Sequence, residues 1–299
     1  MNDVAGYAID RRAVRRSFSA ASAAYDQVAV LQAEVRERLL ERLTVLKLDP
    51  AIVLDLGCGT AHSSRVLHQC YPQAQLIALD AAFGMLQQAQ RQQHGWLHIG
   101  RKHFTRVCAD AYRLPFKSAS IDLIFSNLML QWCDPPDAVF AELRRVLKPQ
   151  GALIFSSFGP DTLRELRSAW ATVDAGTHVN RFIDMHDLGD AMMRAGLTEP
   201  VLDVERFTLT YPDAMSLMRE LKAIGAHNVL RGRSHGLTGR TAFKQMISHY
   251  ETMRRDNALP ASYEVVYAQA WGADVSSHAA NDEVRIAVGS IGKRTKVRE

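Results

Sequence analysis

Apolar residues recur along the chain with two different spacings. Between residues 27 and 46 they recur at intervals of three and four, which is typical of an amphipathic helix: Val28, Leu31, Val35, Leu39, Leu43 and Leu46. Farther along, short and nearly continuous apolar runs are separated by helical spacing, at residues 52–56, 75–79, 104–108, 121–125 and 152–156. Such runs predict strands that are buried on both faces of a parallel sheet and covered by helices.

The pattern loosens after residue 158. The predicted elements there are four helices, near 161–173, 185–195, 214–224 and 241–254, and two strands, over 201–210 and 263–270. We interpret the last two helices, which interrupt a pair of strands, as a lid above the carboxyl edge of the sheet. The predicted fold class is therefore α/β, a doubly wound, mostly parallel, seven-stranded, Rossmann-like sheet with N-terminal helices and a helical lid inserted before the last strand.

The same pattern divides the chain into four predicted parts. Residues 1–48 form N-terminal helices that cover a ligand site, and residues 49–157 form the ligand-binding core. Residues 158–271 complete the sheet and add the substrate lid. Residues 272–299 are predicted to be a flexible tail, because the pattern fades there and ends in a basic stretch.

Composition narrows the classes of protein that the chain can belong to. With 299 residues and 47% hydrophobic composition it can bury a core larger than one minimal domain. A net charge of +4 is far below the excess of a dedicated nucleic-acid binder. No apolar run approaches the ~20 residues that span a bilayer, and the cysteines are too scattered for a zinc cluster or a disulfide framework: Cys58, Cys70, Cys108 and Cys133. We therefore expect a cytoplasmic protein with no nucleic-acid partner, no membrane partner and no metal.

Two glycines follow the first strand of the core. Gly57 and Gly59 allow a sharp turn and a close approach of the backbone to a ligand, next to the free N–H groups of the following helix. A dinucleotide fingerprint requires a third glycine three residues on, where this chain has His62. The pattern therefore disfavours a site for a pyrophosphate.

Acidic residues end the first three strands of the core. Asp80 closes the second strand, 25 residues after Asp55, where a carboxylate can accept both hydroxyls of a ribose. Asp110 follows the third strand and is placed to accept from the amino group of an adenine. The charge of Asp55 suits a sulfonium cation and an ammonium group. The alternative for Asp80 and Asp110 is that they only cap helices.

Residues 53–60, 78–80 and 147–152, together with Asp110, resemble the class I S-adenosylmethionine-dependent methyltransferases. The resemblance covers about residues 50–157, and it implies S-adenosyl-L-methionine as cofactor and S-adenosyl-L-homocysteine as product. Tyr25 lies in a segment that resembles the part of some of these enzymes that folds over the cofactor. The residues thereby expected at the cofactor are Tyr25, Asp55, Gly57, Cys58, Gly59, Asp80, Ala81, Met85, Asp110, Ala111, Asn127, Leu128 and Trp132.

Residues 125–133, 178–182 and 218–226 carry a narrower resemblance, to the malonyl-acyl carrier protein O-methyltransferases, over about residues 10–271. It implies methylation of the free carboxylate of a malonyl thioester on acyl carrier protein, the step that initiates pimeloyl synthesis for biotin. Malonyl-coenzyme A is the alternative substrate. Two other functions stay open: action on another small acceptor or a quinone precursor, and a non-catalytic role as a cofactor-binding assembly factor.

A malonyl carboxylate is ionised at neutral pH, so its methylation requires alignment with the methyl donor and no general base. Its expected partners are cations, Arg181, Arg219 and Lys222, although the last two also fit a solvated helix face. An acidic carrier protein would further require a basic surface. The candidates for that surface are Arg231, Arg233, Arg240, Lys244, Arg11, Arg12, Arg15 and Arg16.

Overall fold

The computed structural model describes residues 8–93, 104–233, 236 and 239–273. The predicted flexible tail lies outside them, apart from its first two residues. The described strands are β1 (Ile52–Leu56), β2 (Gln75–Asp80), β3 (Thr105–Cys108), β4 (Ile121–Ser126), β5 (Leu147–Phe158), β6 (Leu197–Tyr211) and β7 (Leu259–Gly272). They form one sheet in the order β3-β2-β1-β4-β5-β7-β6, which confirms the predicted fold class.

Helices flank this sheet in the alternating order that the apolar pattern predicts. Their bounds are α1 (Arg11–Ala21), α2 (Tyr25–Val28), α3 (Val30–Val45), α4 (His62–Cys70), α5 (Phe83–Gln93), α6 (Pro136–Val146), α7 (Arg164–Ala171), α8 (Met185–Arg194), α9 (Ala214–Ala223) and α10 (Arg240–Glu251). Helices α9 and α10 separate β6 from β7, as predicted for the lid. None of the described helices has the length and apolar character needed to cross a membrane.

The first five strands are parallel, and β7 pairs antiparallel with both β5 and β6. After β3, at one edge of the sheet, the chain returns to place β4 on the other side of β1. The strand order therefore reverses between β1 and β4, and a crevice for ligands opens at the carboxyl ends of strands at such a point. The glycine bend after β1 lies at this position.

Two apolar cores cover the two faces of the sheet. One contains residues of α3, α4, α7, α9 and α10, with Val35, Leu67 and Leu217 among its fully buried members. The other contains residues of α6 and α8, such as Leu143 and Met192. Burial on both sides explains why the parallel strands are continuous apolar runs in the sequence.

The N-terminal region differs from the single helix expected over residues 27–46. An additional helix, α1, precedes it, and its N-terminus is capped by Asp10, whose carboxylate accepts from the backbone N–H groups of Arg12 and Ala13. The expected helix is interrupted at Ala29, which leaves the short α2 before α3. Asp26 of α2 accepts a hydrogen bond from Thr60 Oγ1 at 2.6 Å, so α2 is held against the glycine bend.

Candidate functional site

The glycine bend is held against the end of β2. The backbone N–H groups of Gly57 and Cys58 both donate to the carbonyl oxygen of Leu79, at 2.8 and 3.0 Å. Gly57 has φ +74°, and a Cβ atom there would lie 2.3 Å from Cγ of Met129. Both the backbone angle and the lack of space therefore require glycine at position 57.

Asp80 joins this bend to the start of the next helical segment. Its carboxylate accepts from Gly59 N–H at 2.9 Å and from Ala82 N–H at 2.7 Å. Burial raises its pKa, and these backbone hydrogen bonds oppose that shift. Because each carboxylate oxygen has two lone pairs, Asp80 can still accept from hydroxyl groups of a ligand. Asp80 thus holds the turn that precedes α5, instead of capping that helix, and it also lines a cavity.

That cavity, which we call the main cleft, encloses about 830 Å³ with its open mouth. This is within the range of sites that bind cofactors. Eleven of the thirteen residues predicted at the cofactor line it, from five separate parts of the chain: Tyr25, Gly57, Gly59, Asp80, Ala81, Met85, Asp110, Ala111, Asn127, Leu128 and Trp132.

The two predicted residues outside the main cleft are Asp55 and Cys58. Asp55 is 1% exposed and accepts a hydrogen bond of 2.5 Å from Oγ of Ser64 in α4, so its side chain lies beneath the bend. Burial raises its pKa to about 7, and the charge of Asp80 contributes to this rise. The sequence places Asp55 correctly at a strand end, but only the packing of α4 decides that its side chain points into the protein.

Cys58 lines a second space, the side cavity, which shares Tyr25, Gly57, Gly59 and Asn127 with the main cleft. Arg36 also lines it, and its buried Nε has no hydrogen-bond partner among the described residues. A buried guanidinium N–H without a partner is costly, so it indicates a place for an anionic group of a ligand.

Sequence reasoning missed Arg36. It treated residues 27–46 only as an amphipathic helix, in which charged residues face solvent. Gln32 and Arg36 lie four residues apart next to the apolar stripe, and both side chains line the side cavity. This polar pair was the feature of the sequence that could have indicated the site.

Helix α1 forms a wall of the main cleft. The sequence analysis expected N-terminal helices over the site but did not identify the residues of α1 that line it. Arg11, Val14, Arg15 and Phe18 all line the cleft, and their spacing of three and four residues places them on one helix face. The ring of Phe18 packs edge-on against Trp132, with centroids 5.3 Å apart. The sequence analysis assigned Arg11 and Arg15 only to docking. The apolar Val14 and Phe18 on the same face were the feature that indicated packing against the site.

Asp110 is held by α1 and by its own turn. Arg11 lies 3.6 Å from its carboxylate, and the backbone N–H of Tyr112 donates to it at 3.1 Å. The guanidinium of Arg11 also stacks over the ring of Tyr112, 4.3 Å from the centroid. Asp110 therefore lies at the rim of the main cleft with a fixed orientation.

A third space, the lid cavity, lies between the sheet and the lid and encloses about 1180 Å³ with its mouth. Trp132 lines both the lid cavity and the main cleft, so the two meet at its side chain. Most of the lining residues are apolar or aromatic, and they include Phe158, Leu163, Leu166, Trp170, Val179, Phe182, Met218, Leu221, Ile224 and Tyr263.

Known proteins resemble both the core and the whole chain. Residues 54–155 match the model of a methyltransferase domain. A malonyl-acyl-carrier protein O-methyltransferase of Methylovorus sp. is 54% identical over 89% of this chain and 90% of its own. One of Halorhodospira halophila is 46% identical over 99% of this chain and 100% of its own. The chain belongs to the malonyl-acyl-carrier protein O-methyltransferase family.

Membership makes the chain a methyltransferase, with S-adenosylmethionine as methyl donor, as the strand-end acids and the glycine bend predict. The fold has a further match in the crystal structure of the YcgJ protein from Bacillus subtilis. That match has a TM-score of 0.56 and 17% identity, and it covers 79% of this chain and 98% of the other. At this identity it shows a shared fold alone.

Within this member of the malonyl-acyl-carrier protein O-methyltransferase family, the three expected acceptor cations lie in different places. Lys222 lines the lid cavity, where it is the one lysine or arginine among the described residues. Arg219 does not reach that cavity, since its side chain is 70% exposed and contacts Met215 and Ser216 of its own helix. Arg181 lines a neighbouring outer cavity.

The apolar pattern of α9 contained the signal that separates Lys222 from Arg219. Its apolar stripe consists of the buried Ala214 and Leu217 and the partly buried Leu221. On a helix of 3.6 residues per turn, Lys222 lies at the edge of that stripe and Arg219 on the opposite side. The sequence analysis gave both residues the same role because it did not consider that they lie on different faces of the helix.

Proposed function

We propose that this chain methylates the free carboxylate of a malonyl thioester on acyl carrier protein, the step that opens pimelate synthesis for biotin. One observation carries the proposal: the main cleft meets an apolar lid cavity at Trp132, and Lys222 is the cation in that cavity. A ligand with an anionic end and a long, weakly polar arm fits such a lining. The relatives from Methylovorus sp. and Halorhodospira halophila are named for malonyl-acyl-carrier protein, a substrate with an anionic end and a long arm.

The residues around the two cofactor-side cavities fit S-adenosylmethionine. Asp80 would accept from the ribose hydroxyls, and Asp110 from the adenine amino group. Arg36, whose buried Nε has no hydrogen-bond partner in the described part of the chain, would bind the carboxylate of the methionine part. When bound, the cofactor supplies the electrophilic methyl group on its sulfonium sulfur.

The residues of the chain contribute position and a dry environment. Lys222, an exposed residue that lines the lid cavity, would hold the acceptor carboxylate, and the apolar lining would exclude water from the rest of the acyl group. No proton has to be removed, since the carboxylate is already ionised. Burial raises the pKa of Tyr25 far above its ordinary value, so its phenol stays neutral beside the glycine bend. Burial lowers the pKa of His227, which lines the lid cavity, and the positive charges of Arg233 and Lys222 lower it further.

The test is methylation of a defined thioester. Purified protein is incubated with methyl-labelled S-adenosylmethionine and malonyl-carrier protein, and a base-labile methyl ester on the carrier is the expected product. Acetyl-carrier protein, which lacks the free carboxylate, should stay unlabelled. Methylation of malonyl-coenzyme A but not of the carrier form would reverse the assignment of partner. Cofactor binding without product on any thioester would instead favour the assembly factor.

The proposed carrier also requires a docking surface. One surface depression, the arginine cleft, is lined by Arg11, Arg12, Arg15, Arg231 and Arg233, together with the acids Asp10 and Asp110. Backbone hydrogen bonds of 2.9 Å, from Asp10 to Val229 and from Arg231 to Ala8, bring its two chain segments together. The arginine cleft adjoins the main cleft, and its charge is complementary to an acidic protein. Arg240 and Lys244, expected on the same surface, lie apart from it on α10.

We expect the double substitution Arg12→Gln/Arg231→Gln to lower kcat/KM for malonyl-carrier protein about tenfold at low salt, because long-range attraction accelerates docking of charged proteins. The difference from wild type should shrink at high salt. The matched control is Arg240→Gln/Lys244→Gln, which removes the same charge from exposed positions of the lid. Equal losses in the two double variants would show that net charge, and not the arginine cleft, governs the rate.

A further inference from the structure

The outer cavity adjoins the lid cavity on the side away from the cofactor. The two share Trp170, His178, Val179 and Phe182, so one wall separates them. The rings of Trp170 and His178 form the centre of this wall, stacked with centroids 3.9 Å apart and planes 9° apart. Asp174 fixes His178 through a contact of 2.8 Å between its carboxylate and Nε2. The two cavities thus lie side by side along a wall that is held rigidly.

Two arginines, Arg167 and Arg181, line the outer cavity. Arg167 is held in place because its guanidinium donates to the carbonyl oxygens of Pro160 and Thr162, at 2.8 and 2.5 Å. Burial lowers its pKa, Asp161 opposes the shift, and the charge of Arg181 lowers it further. Both positive charges thus lie at the outer cavity, where they would attract an anion.

Of the residues that the structure describes, Asp174 is the acid that lines the outer cavity. Its carboxylate is already engaged by His178 and by the backbone N–H of Gly176, both at 2.8 Å. The outer cavity thus has two guanidinium groups and one engaged carboxylate in its lining, and guanidinium groups are suited to bind a phosphate.

We propose that Arg181 and Arg167 bind the phosphate of the phosphopantetheine arm that carries the acyl thioester. This inference rests on the proposed function. The two adjoining cavities present Lys222, an apolar lining and the pair of arginines in series. A malonyl group on such an arm has the complementary order of carboxylate, weakly polar chain and phosphate. The carrier protein and coenzyme A both contain this phosphate, so the site recognises their shared part.

The inference gives Arg181 a different role from the acceptor-carboxylate contact that the sequence suggested. The two roles predict different substrate dependence. A residue that binds the carboxylate acts on every malonyl thioester, whereas a residue that binds the phosphate acts only on thioesters that contain it.

The experiment compares Arg181→Gln with wild type on malonyl-phosphopantetheine and on malonyl-pantetheine, which lacks the phosphate. We expect kcat/KM for the first substrate to fall ten- to fiftyfold, mainly through KM, and for the second to change less than twofold. Arg181→Lys should retain part of the activity, since it keeps the charge but not the fork. The comparison variant Lys222→Gln should impair both substrates alike, because both carry the carboxylate.

Malonyl-coenzyme A and malonyl-carrier protein distinguish the sources of the phosphate. Similar losses for both in Arg181→Gln support a site for the common phosphate. A loss confined to the carrier protein would make Arg181 a protein-docking residue and overturn the inference. Equal losses with and without the phosphate, or no loss with either substrate, would overturn it as well.

A binding measurement separates this inference from the proposed function. Free phosphopantetheine, without an acyl group, should bind wild-type protein in calorimetry and bind Arg181→Gln at least tenfold more weakly, with unchanged circular dichroism. If this difference is present but no malonyl thioester is methylated, the proposed function fails and the phosphate site stands. If methylation proceeds but phosphopantetheine binds both proteins alike, the phosphate site fails alone.

Discussion

Replacement of Asp80 by alanine is expected to weaken the binding of S-adenosylmethionine by about a hundredfold. The variant loses the acceptor for the ribose hydroxyls, a change that typically costs about 1–3 kcal/mol when buried partners are left unmatched. It also releases the backbone N–H groups of Gly59 and Ala82, which now donate to the carboxylate. The glycine bend should therefore become less well ordered, so the loss should approach the upper end of that range.

Calorimetry with S-adenosylmethionine and with S-adenosylhomocysteine measures this effect, and both should weaken, since both contain the ribose. Asp190→Ala serves as the matched control, because Asp190 is an exposed aspartate on α8, remote from the main cleft. An Asp80→Ala protein that binds both compounds as tightly as wild type would remove Asp80 from the ribose site.

Replacement of Asp55 by asparagine is expected to stabilise the protein without cofactor above pH 7, by a few kcal/mol. The pKa of Asp55 is about 7 in the folded protein and near 3.8 when the chain is unfolded. Between these values the folded state binds a proton that the unfolded state does not. The stability that Asp55 contributes is therefore full below about pH 4 and is lost as the pH rises through 7. Each pKa unit corresponds to about 1.4 kcal/mol.

Asparagine removes this dependence, while its carbonyl oxygen can still accept the hydrogen bond of Ser64. Urea unfolding at pH 5, 6.5 and 8 measures this pH dependence. The free energy of unfolding of the variant should exceed that of wild type by an amount that grows with pH. The same variant should bind S-adenosylmethionine less tightly relative to S-adenosylhomocysteine, because only the former has a sulfonium charge for Asp55 to attract. If the difference in free energy of unfolding between wild type and variant is the same at pH 8 as at pH 5, the raised pKa of Asp55 is contradicted.

The two variants separate two kinds of strand-end acid. Asp80 lines the main cleft and would contact the cofactor directly, whereas Asp55 lies beneath it and acts through its charge. The sequence analysis grouped them because both follow a buried strand. Their difference depends on which neighbour covers each carboxylate, which strand position alone does not specify.

Several arrangements join residues that are far apart in the chain. The arginine cleft combines residues 10–15 with residues 231–233, and the wall between the lid and outer cavities joins Trp170 of α7 to His178 of the following loop. The sequence nominated Arg11, Arg12, Arg15, Arg231 and Arg233 for docking without indicating that they meet. It also nominated Arg16, Arg240 and Lys244, which line no part of that cleft. Single-position reasoning could not distinguish the two groups, since all are surface arginines or lysines on polar segments.

The sequence by itself determined the parallel core, the glycine bend and eleven of the residues around the main cleft. Those features are local: burial on both faces makes a strand a continuous apolar run, and a backbone with positive φ next to Met129 accepts only glycine. Only the tertiary structure decided which residues of α1 line the cleft, that Nε of Arg36 is buried without a partner among the described residues, and that Lys222 and Arg181 line different cavities. Each of these depends on which helix face or loop packs against a distant element, and burial and charge acquire their effect on a side chain only after that packing is complete.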